Sequence, residues 1–160
     1  MSLPPAALAD LRLHLGQGVS LMLVTRDERL ALETTRAAGA RLGEDGLLRL
    51  ALPLPEARRT IWNLETTQVV ALSAALPTTY RTLQVKGRDA HPVPWPEHEE
   101  VVRAHSLSFV EQLVAVGIAR ELSACFYSHH RFATFAFTPD EIYDQTPGPT
   151  AGLALPQGPR

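Results

Sequence analysis

The chain has 160 residues, a mass of 17.5 kDa and a formal net charge of −2, with 45% hydrophobic and 20% charged residues. That is the size and make-up of one globular domain with a real core, and it argues against a disordered chain or a general polyanion binder. The longest apolar runs, such as positions 69–76, fall far short of the roughly 20 residues a membrane span needs; with no leader-like start and a lone cysteine, Cys125, a cytoplasmic protein without disulfides is expected.

Taken in order, residues 4–15 predict a short helix that opens on prolines, carries Ala7, Leu8, Leu11 and Leu15 at helical spacing, and stops at Gly16-Gln17-Gly18. Residues 19–25 predict a central strand that is apolar on both faces. A second strand is expected over residues 30–42, with Thr34, Thr35 and Arg36 followed by the small residues Ala37, Ala38 and Gly39, which would let a backbone or a flat ring approach closely. Gly43-Glu44-Asp45-Gly46 is a hairpin turn, since Asp-Gly supplies the backbone conformations such turns require. A third strand follows at 47–53, ended by Pro53 and Pro55.

Residues 56–66 predict a second helix with Arg58 and Arg59 at its start, and 68–76 a strand apolar on both faces. The next strand has Thr82, Gln84, Lys86 and Arg88 on one face and Leu83 and Val85 on the other. It is either a half-solvated antiparallel strand or one wall of a groove for a flat anion. A proline-rich stop at 91–96 leads to the longest helix, residues 96–119, with an apolar stripe of Val101, Val102, Leu107, Val110, Leu113, Val114 and Ile118. A last strand is expected at 132–137, pairing continues over 140–144, and the tail from Pro147 reads as extended. Short antiparallel strands with two main helices predict an α+β domain, mainly β, built on a small barrel.

Charge is uneven. Positions 36–88 hold eight basic residues against four acidic ones, whereas positions 89–145 hold nine acids against three arginines. The central surplus fits a local anion site. Arg58-Arg59 at a helix start is the best candidate, because free N–H groups and two guanidinium forks converge there; a solvated pair with partners one turn away is the plain alternative. His98 and His105, seven apart near Glu99 and Glu100, lack a metal-binding motif and are expected to be solvated, so no metal is expected. His129-His130 is placed in a loop, and Cys125 is read as a small buried hydrophobe. No Walker loop, Gly-x-Ser-x-Gly or GxGxxG occurs.

The segments TRD (25–27), DGLLRLALP (45–53), ARRTIWNLETTQVVAL (57–72), TYRTLQVKGRDA (79–90) and FTPDEIYDQTPGPTAG (137–152) together resemble the pyridoxamine 5′-phosphate oxidase-like, FMN-binding split-barrel superfamily, in particular its small bacterial oxidase-related branch. The resemblance implies a six-stranded antiparallel split β-barrel with flanking helices, and a homodimer with FMN in two grooves between subunits. It assigns the FMN phosphate to Arg58 and Arg59, a flavin edge to Gln84 with Lys86 nearby, and the isoalloxazine flanks to Thr35, Arg36, Ala37 and Ala38 and to Leu50, Ala51 and Leu52. A flavin-dependent oxidoreductase is the implied activity, its substrate open. The family's serine before the basic pair is Ala57 here, a lysine at the end of the second strand is Ala40, and the tryptophan- and arginine-containing tail that holds pyridoxal phosphate has no counterpart. These departures argue against vitamin B6 oxidation. They leave, as the alternative, a module without a cofactor, or one holding haem or a deazaflavin, with a sensing or binding role.

Overall fold

Burial alternates along residues 20–26, 70–75 and 82–87, so the sheet that these strands build gives one face to the core and keeps the other half open. The computed structural model describes residues 3–54, 56–124 and 131–155; Cys125 and the His129-His130 pair lie outside them. The described residues form α1 (Pro5–Leu15), β1 (Ser20–Arg26), β2 (Leu32–Arg36), β3 (Gly39–Leu42), β4 (Leu48–Pro53), α2 (Arg58–Thr67), β5 (Val70–Ala75), β6 (Thr82–Gly87), β7 (His91–Pro92), α3 (His98–Ala115), α4 (Arg120–Ala124), β8 (Phe132–Phe137), β9 (Glu141–Asp144) and β10 (Leu153–Ala154). The α+β class holds. The strands lie in two antiparallel sheets, a six-stranded one in the order β10-β9-β6-β5-β1-β2 and a four-stranded one in the order β3-β4-β8-β7.

Residues 30–42, expected as one strand, are two. The chain leaves the six-stranded sheet at Ala37, whose N–H donates to Leu21, and enters the other at Ala38, whose N–H donates to Ala51. The small residues are there because this is the corner between the sheets. Similar crossings run from β6 to β7 and from β8 to β9. Inward side chains from both sheets, among them Leu21, Leu23, Leu48, Leu50, Leu72, Val85 and Phe137, make one core against Leu11 and Leu15 of α1. Fully burying each such leucine contributes about 2 kcal/mol.

β1 and β5 lie inside the six-stranded sheet and bury only one of their two mostly apolar faces. Leu21, Leu23, Leu72 and Ala74 point inward, whereas Met22, Val24, Ala71, Ser73 and Ala75 lie half-exposed on the outer face of the six-stranded sheet. That face also carries Gln84 opposite Ser73 and Lys86 opposite Ala71.

Helix α2 is held on the inner side of the six-stranded sheet by polar contacts. The Thr35 and Thr60 hydroxyls lie 2.5 Å apart, and the Asn63 amide donates to Thr25 at 3.0 Å. Leu64 is buried in the core, whereas Trp62 is 64% exposed. The long helix ends at Ala115, four residues earlier than expected. Gly117 takes φ +92° and Ile118 donates back to Leu113, a left-handed stop that glycine adopts without steric cost. The buried stripe of α3 is Val101, His105, Phe109 and Leu113 at a spacing of four, together with Val102; Leu107 points to solvent.

Candidate functional site

The basic pair begins α2. Ala57, the residue before it, makes no side-chain cap, so the leading N–H groups of the helix are left to solvent or a ligand. Both arginines are exposed. Arg59 sits 3.8 Å from Asp27 and 3.6 Å from Glu33, loose pairs in water that contribute little. The Thr35–Thr60 bond fixes this helix start against β2.

Gln84 and Lys86 lie elsewhere. They are on β6, three strands from β2 in the order β6-β5-β1-β2, which at the usual strand spacing separates them by about 14 Å. Gln84 accepts from Gln145 at 3.5 Å, and the Lys86 ammonium stands 4.4 Å from the centre of the Tyr143 ring. The Tyr143 hydroxyl donates to Glu141 at 2.5 Å, and Arg88 reaches Glu141 at 2.9 Å and Asp140 at 3.4 Å. The hydrogen bond from Tyr143, then that from Arg88, holds the Glu141 carboxyl below its usual range; the bond to Glu141 raises the Tyr143 hydroxyl. Arg88 is thus beyond the strand and committed to acids at the rim.

The expected ring-flanking side chains are covered in the single chain. Thr35 is 8% exposed and bonded to Thr60; Ala37, Leu50 and Leu52 belong to the main core. Ala38 and Ala51 lie under Trp95, Val101 and Val102, in a second apolar cluster. Gly39 admits this cover: a Cβ there would stand 3.2 Å from the Val102 side chain and 3.3 Å from its Cα. Arg36 is half-buried at the end of β2, its guanidinium 5.7 Å from the centre of the Phe109 ring.

A cavity of about 520 Å³ opens beside this corner, between the end of α1, β3 and α3. Its lining includes Arg12, Arg41, Glu44, His105 and Ser108, none of which stood out as a ligand group in the sequence. Arg12 donates to the Leu42 and Gly43 carbonyls. His105, expected in solvent, is 6% exposed, stacked on Phe109 at 6.4 Å and bonded to the Val19 backbone. The four-residue spacing from Val101 through His105 to Phe109 was the signal that it faces inward. Among the described residues no cluster of three or more histidines, cysteines or carboxylates is placed to hold a metal, and no helix is long and apolar enough to cross a membrane.

Burial pushes the His105 pKa down to about 4, with Arg36 adding to the shift against the Val19 bond. Burial also lowers that of His14, whose Nε2 lies 2.9 Å from the Ala74 carbonyl. Above pH 6.5 both rings are neutral whether the chain is folded or not. Between pH 6.5 and about 4 the unfolded chain takes up a proton that folded His105 refuses, so stability falls as pH falls, by about 3 kcal/mol from this residue. Urea midpoints measured from pH 7 to 4 are expected to drop steeply, and the drop is shallower in His105→Gln.

No family model matches the sequence, and neither does any curated protein. Solved structures do match in fold. HupZ of Group A Streptococcus is 11% identical at a TM-score of 0.53, over 90% of this chain and 98% of that one. An FMN-binding protein of Syntrophomonas wolfei is 14% identical at 0.50, over 87% of this chain and 86% of that one. A heme-binding protein of Mycobacterium smegmatis is 15% identical at 0.52, over 96% of this chain and 58% of that one. Identities this low speak for the fold alone: the two-sheet architecture is one that this chain shares with these three proteins.

Proposed function

We propose that the protein binds FMN as a homodimer of split barrels, with one cofactor in each of two grooves between the subunits. The start of α2 carries this reading: two exposed guanidinium groups stand on the first turn of a ten-residue helix that no side chain caps, a setting suited to a phosphate dianion. Gln84 and Lys86 are too far from this point to share its phosphate end within one chain. A groove that uses both therefore takes the partner subunit's Gln84 and Lys86 at the ring end. Thr35, Ala37, Ala38, Leu50, Ala51 and Leu52 form the packed wall beneath it, and Arg36 adds a cation at the edge.

The outer face of the six-stranded sheet is the proposed dimer surface. Its Met22, Val24, Ala71, Ser73 and Ala75 are short or unbranched at the tip and only half-exposed, so a second sheet could approach closely. A bound flavin would supply redox chemistry, which makes an oxidoreductase the activity of this reading; these residues would place the flavin and tune it.

One observation favours the alternative of a module without a cofactor over one that holds a flavin, a deazaflavin or haem. Trp95 and α3 already cover Ala38 and Ala51, leaving less room there for a flavin ring. Titration of the protein into FMN separates the readings. Saturable quenching of flavin fluorescence at one FMN per subunit, together with a dimer by light scattering, is expected. Absence of quenching in a colourless protein overturns the FMN reading, and a Soret band formed with haemin then supports the haem one.

A further inference from the structure

The cavity between α1, β3 and α3 has features of a ligand site that the flavin reading does not use. Its volume, about 520 Å³, is in the range of pockets that take small molecules. Its apolar lining is contributed by Leu42, Val101 and Ala104, its cations by Arg12 and Arg41, and its acid by Glu44. Among the described residues Arg41 makes no ion pair or side-chain hydrogen bond, although the neighbouring Arg49, opposite it on β4, is bound to Asp45. An exposed arginine beside an apolar recess is a place for a negative head group on an apolar body.

The charges choose between anions. Arg12 spends its Nε and one terminal nitrogen on the Leu42 and Gly43 carbonyls, which leaves Arg41 as the main free fork. Glu44 on the same rim repels a second negative charge, so the balance suits a monoanion better than a phosphate dianion. His105 offers a ring edge at the wall, held by its bond to the Val19 backbone.

We propose that this cavity binds a small amphipathic monocarboxylate, with the carboxylate on Arg41, Arg12 assisting, and the apolar body against Leu42, Val101 and Ala104. The site is distinct from the basic start of α2, and its occupancy does not require FMN. Because His105 stacks on Phe109, over which Arg36 lies, a ligand here touches a chain of packed side chains that reaches the β2 end.

The test uses the full-length protein without added flavin, titrated separately with sodium hexanoate and with inorganic phosphate, and read by NMR at the Ala40 and Ala104 methyl groups and the His105 ring. Hexanoate is expected to produce saturable shifts at these groups, and phosphate to produce none. Arg41→Gln, a surface change that leaves the fold intact, is expected to weaken hexanoate binding about tenfold, while Arg58→Gln leaves it unchanged. The proposal is overturned by the absence of saturable hexanoate shifts, by affinity that survives Arg41→Gln, or by phosphate binding the cavity as tightly as hexanoate. Failure here leaves the FMN titration untouched, because that binding is read at a different site.

Discussion

Replacing Arg58 and Arg59 together by alanine is expected to weaken FMN binding by about 100-fold or more, with little change in thermal stability. A charge-assisted hydrogen bond to a phosphate contributes about 1.5–3 kcal/mol, so two such losses add to two or more powers of ten. Neither arginine is part of the core, and the two loose ion pairs of Arg59 are solvent-screened, so the folded state gives up little. Arg58 has no ion pair among the described residues, and its single replacement should cost more than that of Arg59, part of whose charge is neutralised by Asp27 and Glu33. Fluorescence titration measures all three variants. The subunit assignment has its own check: in a heterodimer of an Arg58→Ala/Arg59→Ala chain with a Gln84→Ala chain, a groove shared between subunits leaves one site wholly intact. One tight FMN per dimer is the expected result. If both sites of that heterodimer are weakened, one by the loss of the arginines and the other by the loss of Gln84, the two act within one chain and the shared groove is wrong.

The sequence made the period-two strands legible because each alternates between core and outer face. The β6 alternation of Leu83 and Val85 against Thr82, Gln84 and Lys86 matches its observed burial, and the hairpin at Asp45-Gly46 joins β3 to β4 in register. What local pattern could not convey was which sheet a strand enters. Ala37, Ala38 and Gly39 promised the close approach of a backbone or a flat ring; within the chain the backbone that comes close, at Gly39, is that of α3, and the three residues also turn the corner between the sheets. His105 was misplaced because a lone polar residue in a stripe reads as solvent-facing until the helix phase is fixed by its neighbours Val101 and Phe109. The cavity was invisible for a related reason: Arg12, Arg41 and His105 come from three elements, and only the packing of α1 and α3 against β3 brings them to one space.

That packing depends on Gly18, and Gly18→Ala is expected to lower stability by about 3 kcal/mol, or roughly 6–12 °C in Tm for a chain of this size. Two costs combine. Gly18 has φ +76°, a conformation an alanine adopts at about 1 kcal/mol or more. Its added Cβ would also stand 2.4 Å from the carbonyl carbon of Ser108, 2.5 Å from its oxygen and 2.7 Å from the Phe109 nitrogen, all backbone atoms of α3 that no rotamer change can move. The helix must therefore shift away from the start of β1, carrying His105, Ser108 and Phe109 with it. Gly39→Ala meets Val102 at 3.2–3.4 Å, a contact that a few tenths of an ångström relieves, and is expected to cost only about 1 kcal/mol. Thermal unfolding of the two variants, with circular dichroism to confirm that each starts folded, tests the ranking. Equal losses at the two glycines would mean that α3 is not anchored at Gly18. The same displacement predicts a functional signature: at temperatures where Gly18→Ala remains folded, the His105 and Ala104 signals move while flavin affinity at the α2 start is retained, because Arg58 and Arg59 are fixed through the Thr35–Thr60 contact and not through α3.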